Sequence, residues 1–181
     1  TMGLAMPVFA VDGATTSDTK NNAKEAYIKK TYNTEVNKPM KFNFTATQVT
    51  TGEYIVTKEL KCTIPSIEFT SSDLSGGEGT YTKLSDKIIF GNLEEAGKYE
   101  YTVTEESGTV EGMTYSSESY SLRVYVVNQE DGTLDIQSIT AEKDNGKQEE
   151  ILFTNTYVKN GSLSISKNTV GILEDKTKDF E

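Results

Sequence analysis

The sequence contains no histidine, no tryptophan, one cysteine and one arginine among its 181 residues. Without histidine, neither a Ser-His-Asp nor a Cys-His catalytic site can form, and a zinc site built from His and Cys is excluded as well. Cys62 has no disulfide partner within the chain, and we expect it to be a small, buried or half-buried residue of a strand. These absences remove most classes of enzyme, and we expect no cofactor and no bound metal.

Positive charge is also scarce, since the formal net charge is -10 and the pI is about 4.6. An acidic surface repels nucleic-acid phosphates and has no attraction for anionic lipids, so we expect no nucleic-acid partner. Apolar runs of transmembrane length are missing too, so we expect no membrane insertion of the mature domain.

The first residues are the most apolar stretch of the chain. Met2 to Ala10 resembles the end of a signal peptide, with the small residues Val8 and Ala10 before a cleavage point. Residues 11–22 are rich in Gly, Thr, Ser, Asn and Asp and are typical of a linker. We therefore interpret 1–22 as a signal-peptide remnant and linker, and the protein as secreted.

Short segments of alternating polarity follow from residue 23. Met40, Phe42, Phe44 and Ala46 share one face of a predicted strand over 40–46. Further strands are predicted at 27–32, 54–64, 67–70, 80–83, 87–90, 98–105, 120–127, 133–140 and 150–158, with a loop at 73–80 and a possible turn at 93–96. Such strands with polar turns predict an all-β antiparallel sandwich over 23–158. Ser162 to Lys167 repeats the pattern of the first strand, so 159–181 is interpreted as the start of a truncated second domain.

Three polar residues fall on the apolar faces of predicted strands: Lys30, Glu105 and Asn155. An unpaired buried charge costs several kcal/mol, so isolated inward charges are disfavoured and a shared site is favoured. Lys29 and Glu106 stand beside the chosen residues and would replace them if the inward faces were displaced by one position.

The three residue types suit one reaction. An apolar core lowers the pKa of a lysine, and a neutral amine is a nucleophile. A glutamic acid held there in its protonated form can hydrogen-bond the amide oxygen of Asn155 and transfer protons as ammonia leaves. The product is an amide between the Lys30 side chain and Asn155. Because it forms once per molecule, the chain is not expected to be a turnover enzyme.

The motifs around these residues resemble the isopeptide-forming pilin domain of major pilins from streptococci and related bacteria. They are Ile28-Lys29-Lys30-Thr31 with Phe42-Asn43-Phe44, Phe90-Gly91-Asn92-Leu93 followed by Ala96 to Glu105, and Phe153-Thr154-Asn155-Thr156-Tyr157. The resemblance covers about 24–158. It implies Ig-like domains in tandem and assigns the family's Lys, Glu and Asn roles to Lys30, Glu105 and Asn155.

The resemblance also implies partners and location. Sortase would join this chain to other pilin subunits on the cell wall or cell surface of a Gram-positive bacterium. The acceptor lysine must be exposed, and Lys143 and Lys147 lie in a predicted polar loop just before the Asn155 strand, with Lys147 favoured. Lys167 corresponds to Lys30 in the truncated second domain and would be its cross-linking lysine.

Other functions remain as alternatives. An adhesin module that binds a host protein or glycan uses the same fold, but it should carry a large loop insertion or an exposed aromatic platform. A hydrolase would need paired carboxylates, whereas Glu105 and Glu106 are adjacent and should face opposite ways. Asp131 next to Gly132 is interpreted as a turn former rather than a calcium ligand. A structural pilus subunit is the favoured function.

Overall fold

The computed structural model describes residues 23–159, and thirteen strands cover much of that range. Their bounds are β1 Ile28–Thr34, β2 Met40–Phe42, β3 Phe44–Gln48, β4 Cys62–Thr63, β5 Ile67–Phe69, β6 Gly79–Leu84, β7 Ile89–Phe90, β8 Gly97–Glu105, β9 Met113–Thr114, β10 Ser119–Asn128, β11 Leu134–Lys143, β12 Gly146–Gln148 and β13 Ile151–Tyr157. Residues 23–159 include no helix long and apolar enough to cross a membrane. The predicted all-β class is confirmed.

Two larger sheets form the sandwich. One has the strand order β6-β1-β13-β9, and the other has the order β12-β11-β10-β8-β3. The pairs β2-β5 and β4-β7 form two small accessory sheets. Tyr120 connects the main sheets, because its hydroxyl lies 2.9 Å from the carbonyl oxygen of Leu152 and 3.1 Å from the Leu152 nitrogen. One side chain thus satisfies both backbone groups of a β13 residue.

The first and last described strands lie side by side. Strand β1 pairs with β13 in parallel, with Lys30 opposite Phe153 and Tyr32 opposite Asn155, whereas the other pairings between strands are antiparallel. The sandwich is therefore antiparallel except at its terminal strands. Lys30 and Asn155 occupy the same inner face, two positions apart along the pair.

The predicted strand over 40–46 is divided in two. It is interrupted at Asn43, and β2 pairs with β5 while β3 pairs with β8 in a main sheet. The Asn43 carbonyl accepts a hydrogen bond from the Glu106 nitrogen at 2.9 Å. Phe42 and Phe44 are both buried, so the alternating pattern identified the inward residues correctly but missed the change of sheet.

The predicted strand over 54–64 is wrong for most of its length, because only Cys62–Thr63 is a strand. Tyr54 has a positive φ of 66°, which is incompatible with regular strand geometry. The Gln48 side chain provides hydrogen bonds that a neighbouring strand would otherwise supply. It accepts from the Leu60 nitrogen and donates to the Lys58 carbonyl, both at 2.9 Å. Residues 93–96, where a turn was possible, form no helical turn.

Candidate functional site

Lys30, Glu105 and Asn155 meet inside the sandwich. The Lys30 Nζ lies 2.5 Å from Glu105 Oε1 and 2.5 Å from Asn155 Oδ1. The Asn155 Nδ2 donates to Glu105 Oε2, also at 2.5 Å. Lys30 on β1 and Asn155 on β13 come from one sheet, while Glu105 ends β8 in the facing sheet. The fold therefore closes a triangle from residues up to 125 positions apart.

This triangle is sealed from water. The side chains of Lys30 and Glu105 are 0 % exposed, and Asn155 as a whole is 0 % exposed. The Phe42 ring centre lies 4.3 Å from the Lys30 Nζ, and Phe153 packs against Phe44 and Tyr120 at 5.4 Å between ring centres. Electrostatic and hydrogen-bonding interactions are stronger in such an apolar enclosure than in water.

Burial lowers the pKa of Lys30 to about 8, because the charged ammonium loses its hydration in the core. The hydrogen bond and the negative charge of Glu105 act in the opposite direction but only partly offset that loss. A lysine with this pKa is substantially neutral in mildly alkaline solution, and its lone pair is then available.

The neighbouring residues kept as alternatives lie outside this site. Lys29 points outward, with its side chain 38 % exposed, and pairs with Glu150 at 3.3 Å. Glu106 is exposed and accepts a hydrogen bond from the Thr45 hydroxyl at 3.3 Å. The strand parity deduced from the alternating pattern therefore agrees with the inward faces of β1 and β8.

One detail differs from the expected chemistry. We expected the acid to contact the amide oxygen of Asn155, but both oxygens of Glu105 face nitrogens, one on Lys30 and one on Asn155. The amide oxygen instead contacts the Lys30 Nζ and accepts a hydrogen bond from the Ser116 backbone nitrogen at 3.0 Å. Glu105 is thus arranged to exchange protons between two nitrogens rather than to polarise the carbonyl.

The segment that carries Lys143 and Lys147 is a hairpin rather than a polar loop. Asp144 and Asn145 have φ values of 54° and 66° and form the two-residue turn between β11 and β12. The Asp-Asn-Gly sequence was the overlooked signal, because two positive φ angles favour these residues. Lys147 is exposed on β12, whereas Lys143 pairs with Glu118 at 3.0 Å.

Asp131 lies in the turn between β10 and β11. The Thr133 nitrogen and hydroxyl donate to Asp131 Oδ1 at 3.0 and 2.7 Å, as a turn requires. Within residues 23–159 there is no cluster of three or more His, Cys, Asp or Glu side chains that could hold a metal. Lys167, the signal-peptide segment and the proposed start of a second domain lie outside the described residues.

Sequence reasoning missed Ser116. The other site residues are recognisable as polar side chains on apolar faces, whereas Ser116 contributes its backbone N–H. Every residue except proline carries that donor, so no residue pattern identifies it. The inward position of Phe42 was predictable, because Phe42 belongs to the alternating pattern of the predicted 40–46 strand. Its contact with the Lys30 amine was not.

Comparison with known families matches most of the chain to one family. The family model described as "FctA: Spy0128-like isopeptide containing domain" matches residues 14–158. The chain therefore belongs to this family. A curated protein named pilin, from Streptococcus pyogenes serotype M1, is 30 % identical over 124 residues, which cover 67 % of this chain and 35 % of that protein.

Solved structures give the same fold. The major pilin of Streptococcus pyogenes matches with a TM-score of 0.58 at 24 % identity, over 75 % of this chain and 51 % of that one. The T-13 major pilin of the same species matches with a TM-score of 0.56 at 22 % identity, over 75 % and 53 % of the two chains. This chain thus spans about a third of the curated relative and about half of the solved pilins.

Proposed function

We propose that this chain is a structural subunit of a Gram-positive cell-surface pilus, stabilised by an isopeptide bond that forms on its own between Lys30 and Asn155. The contact that carries the proposal is the Lys30 Nζ at 2.5 Å from the amide of Asn155, with Glu105 hydrogen-bonded to both residues. Membership of an isopeptide-containing family supports the same conclusion.

The reaction balances with these three side chains. The neutral Lys30 Nζ attacks the Asn155 Cγ and forms the new C–N bond, while a proton passes from Nζ to the Glu105 carboxylate. The carboxyl then returns a proton to Nδ2, the Cγ–Nδ2 bond breaks, and ammonia leaves. Glu105 begins and ends as a carboxylate. The fixed proximity of amine and amide supplies much of the rate, and the reaction happens once per molecule.

A pilus shaft gains mechanical continuity from such a bond. Tension that enters through β1 and leaves through β13 would pass across the cross-link and bypass the residues between, a separation of 125 positions. Without the cross-link, that segment could extend by on the order of 400 Å under load. The bond needs no oxidant, which suits a chain with one cysteine.

The first prediction concerns the mass of the mature folded protein, which should lack one ammonia relative to the formula of its sequence. A tryptic digest should contain a branched peptide that joins the segments of Lys30 and Asn155. Lys29 should be recovered without this branch and serves as the internal control. An intact mass equal to the sequence formula would contradict the proposed bond.

The exposed surface favours a shaft over an adhesin tip. In the part of the chain that the structure describes, the exposed large hydrophobic residues are Tyr54, Leu84 and Ile89. Only one of these is aromatic, so they do not form the aromatic platform expected of a ligand-binding tip. We therefore propose other pilin subunits, joined by sortase, as the partners.

The second prediction identifies the lysine that sortase uses. Lys147 is exposed, whereas Lys143 is half-buried, pairs with Glu118 and lies over the Tyr120 ring at 5.4 Å. We expect Lys147→Ala to abolish the polymer ladder extracted from cell walls and Lys143→Ala to retain it. Both variants should keep the internal cross-link, which controls for folding. Ladders that persist in both variants would exclude this hairpin as the acceptor.

A further inference from the structure

The amide oxygen of Asn155 has a backbone hydrogen-bond donor. The Ser116 N–H donates to Asn155 Oδ1 at 3.0 Å, a normal length for a hydrogen bond of this kind. Attack on a carbonyl carbon moves negative charge onto this oxygen. A fixed N–H at that distance can stabilise the charge without reorganising during the reaction.

The strand arrangement explains why this N–H is available. Strand β9 pairs with β13 only as far as Thr114, opposite Thr156, and the chain then crosses to β10 in the other sheet. Ser116 lies in that crossing, where its N–H donates to a side chain rather than to a strand ladder. The Glu118 nitrogen donates a hydrogen bond to the exposed Ser116 hydroxyl at 3.2 Å.

The same hydrogen bond orients the amide. A backbone N–H can only donate, so it requires the oxygen of Asn155 on its side and turns Nδ2 toward Glu105. If the amide were reversed, its NH₂ group would face the Ser116 N–H and its oxygen would face the Glu105 carboxylate. Both contacts would be repulsive, and the leaving nitrogen would lie away from the carboxyl.

The other two polar contacts of the Asn155 amide, with Lys30 and Glu105, cannot stabilise the oxyanion. Lys30 Nζ becomes the atom bonded to Cγ, so it no longer approaches as a separate donor. Glu105 faces the attacking and leaving nitrogens through its two oxygens. Among the hydrogen-bond partners of Asn155 Oδ1 in residues 23–159, the Ser116 N–H is the one that persists through the reaction.

We propose that the Ser116 backbone N–H is the oxyanion donor of the cross-linking reaction and fixes the reactive orientation of Asn155. The proposal rests on the proposed function, since it needs the Lys30–Asn155 reaction. It concerns the backbone N–H of Ser116 and not the hydroxyl, so a substitution that changes only the side chain should preserve it.

Two full-length chains that differ only in the N–H at position 116 measure the effect of that group. Both carry a methyl side chain at position 116, one as Ser116→Ala and the other with lactate there, so that an ester oxygen replaces the N–H. They are made by translation in vitro with a suppressor transfer RNA, and samples quenched in denaturant are weighed for loss of ammonia. We expect the ester chain to cross-link about a hundredfold more slowly than Ser116→Ala. Equal rates would overturn the proposal.

Two further measurements cover the cases in which the wild type does not react or the ester chain does not fold. The wild-type chain is weighed alongside, and if it retains its ammonia the proposed function fails, whatever the pair shows. If the ester chain does not fold, as judged by circular dichroism, the scalar coupling through the hydrogen bond between the Ser116 nitrogen and the Asn155 Cγ is measured by NMR in the cross-linked wild type. A detectable coupling supports the donor, and its absence overturns it.

Discussion

Glu105→Ala is expected to fold without forming the cross-link and to melt at a markedly lower temperature than the wild type. The substitution removes the carboxyl that contacts both nitrogens, so no group remains to carry the proton from Lys30 to the leaving amide. By analogy with a disulfide that closes a loop of similar length, the missing bond should cost about 5 kcal/mol. That loss corresponds to a melting temperature lower by about 15 °C. Intact mass and thermal unfolding measure the two effects.

Two companion variants separate proton transfer from packing. Glu105→Gln keeps the shape of the side chain but cannot relay protons, so it should also remain uncross-linked while leaving a smaller void in the core. Glu106→Ala removes the exposed neighbouring acid and should cross-link normally. A fully cross-linked Glu105→Gln chain would exclude the carboxyl as the proton carrier, and loss of the bond in Glu106→Ala would indicate the wrong acid.

The inward faces of the site strands were predictable from the sequence because the side-chain period of a strand is two. In β1 and β13 the buried positions alternate without interruption, from Ile28 to Thr34 and from Ile151 to Tyr157. A polar residue in such an uninterrupted alternation must be buried with its neighbours. That rule identified Lys30 and Asn155, and the same argument applies to Glu105 at the end of β8.

The features that could not be predicted from the sequence depend on tertiary contacts. The apolar residues of the 54–64 segment suggested a strand, yet Val56 and Leu60 reach the core from an irregular path. Gly97 shows why this path is possible: a Cβ there would lie 2.5 Å from the Val56 side chain, so only glycine allows so close an approach. The parallel pairing of β1 with β13 was also hidden, because strand partners distant in sequence leave no local signal.

The rate of cross-linking is expected to depend on pH through Lys30. Burial holds the pKa of Lys30 near 8, so below this pH the amine is protonated and has no lone pair for attack. The rate should therefore fall about tenfold for each pH unit below 8 and level off above it. Unfolded chains are diluted into buffers that span this range, quenched in denaturant at intervals and weighed for the loss of ammonia.

Asn155→Ala provides the control for this profile, because it cannot react but keeps Lys30 and Glu105 together. Its free energy of unfolding should rise between the folded pKa of about 8 and the ordinary value of 10.5, since over that interval the unfolded chain binds a proton at Lys30 that the folded chain has lost. Below pH 8 Lys30 is protonated in both the folded and the unfolded chain, so its titration no longer changes the free energy of unfolding. A rate that is flat with pH in the wild type, with the expected stability change in Asn155→Ala, would show that the amine is deprotonated by Glu105 inside the ion pair. That result would contradict a reaction that starts from the neutral amine and the carboxylate.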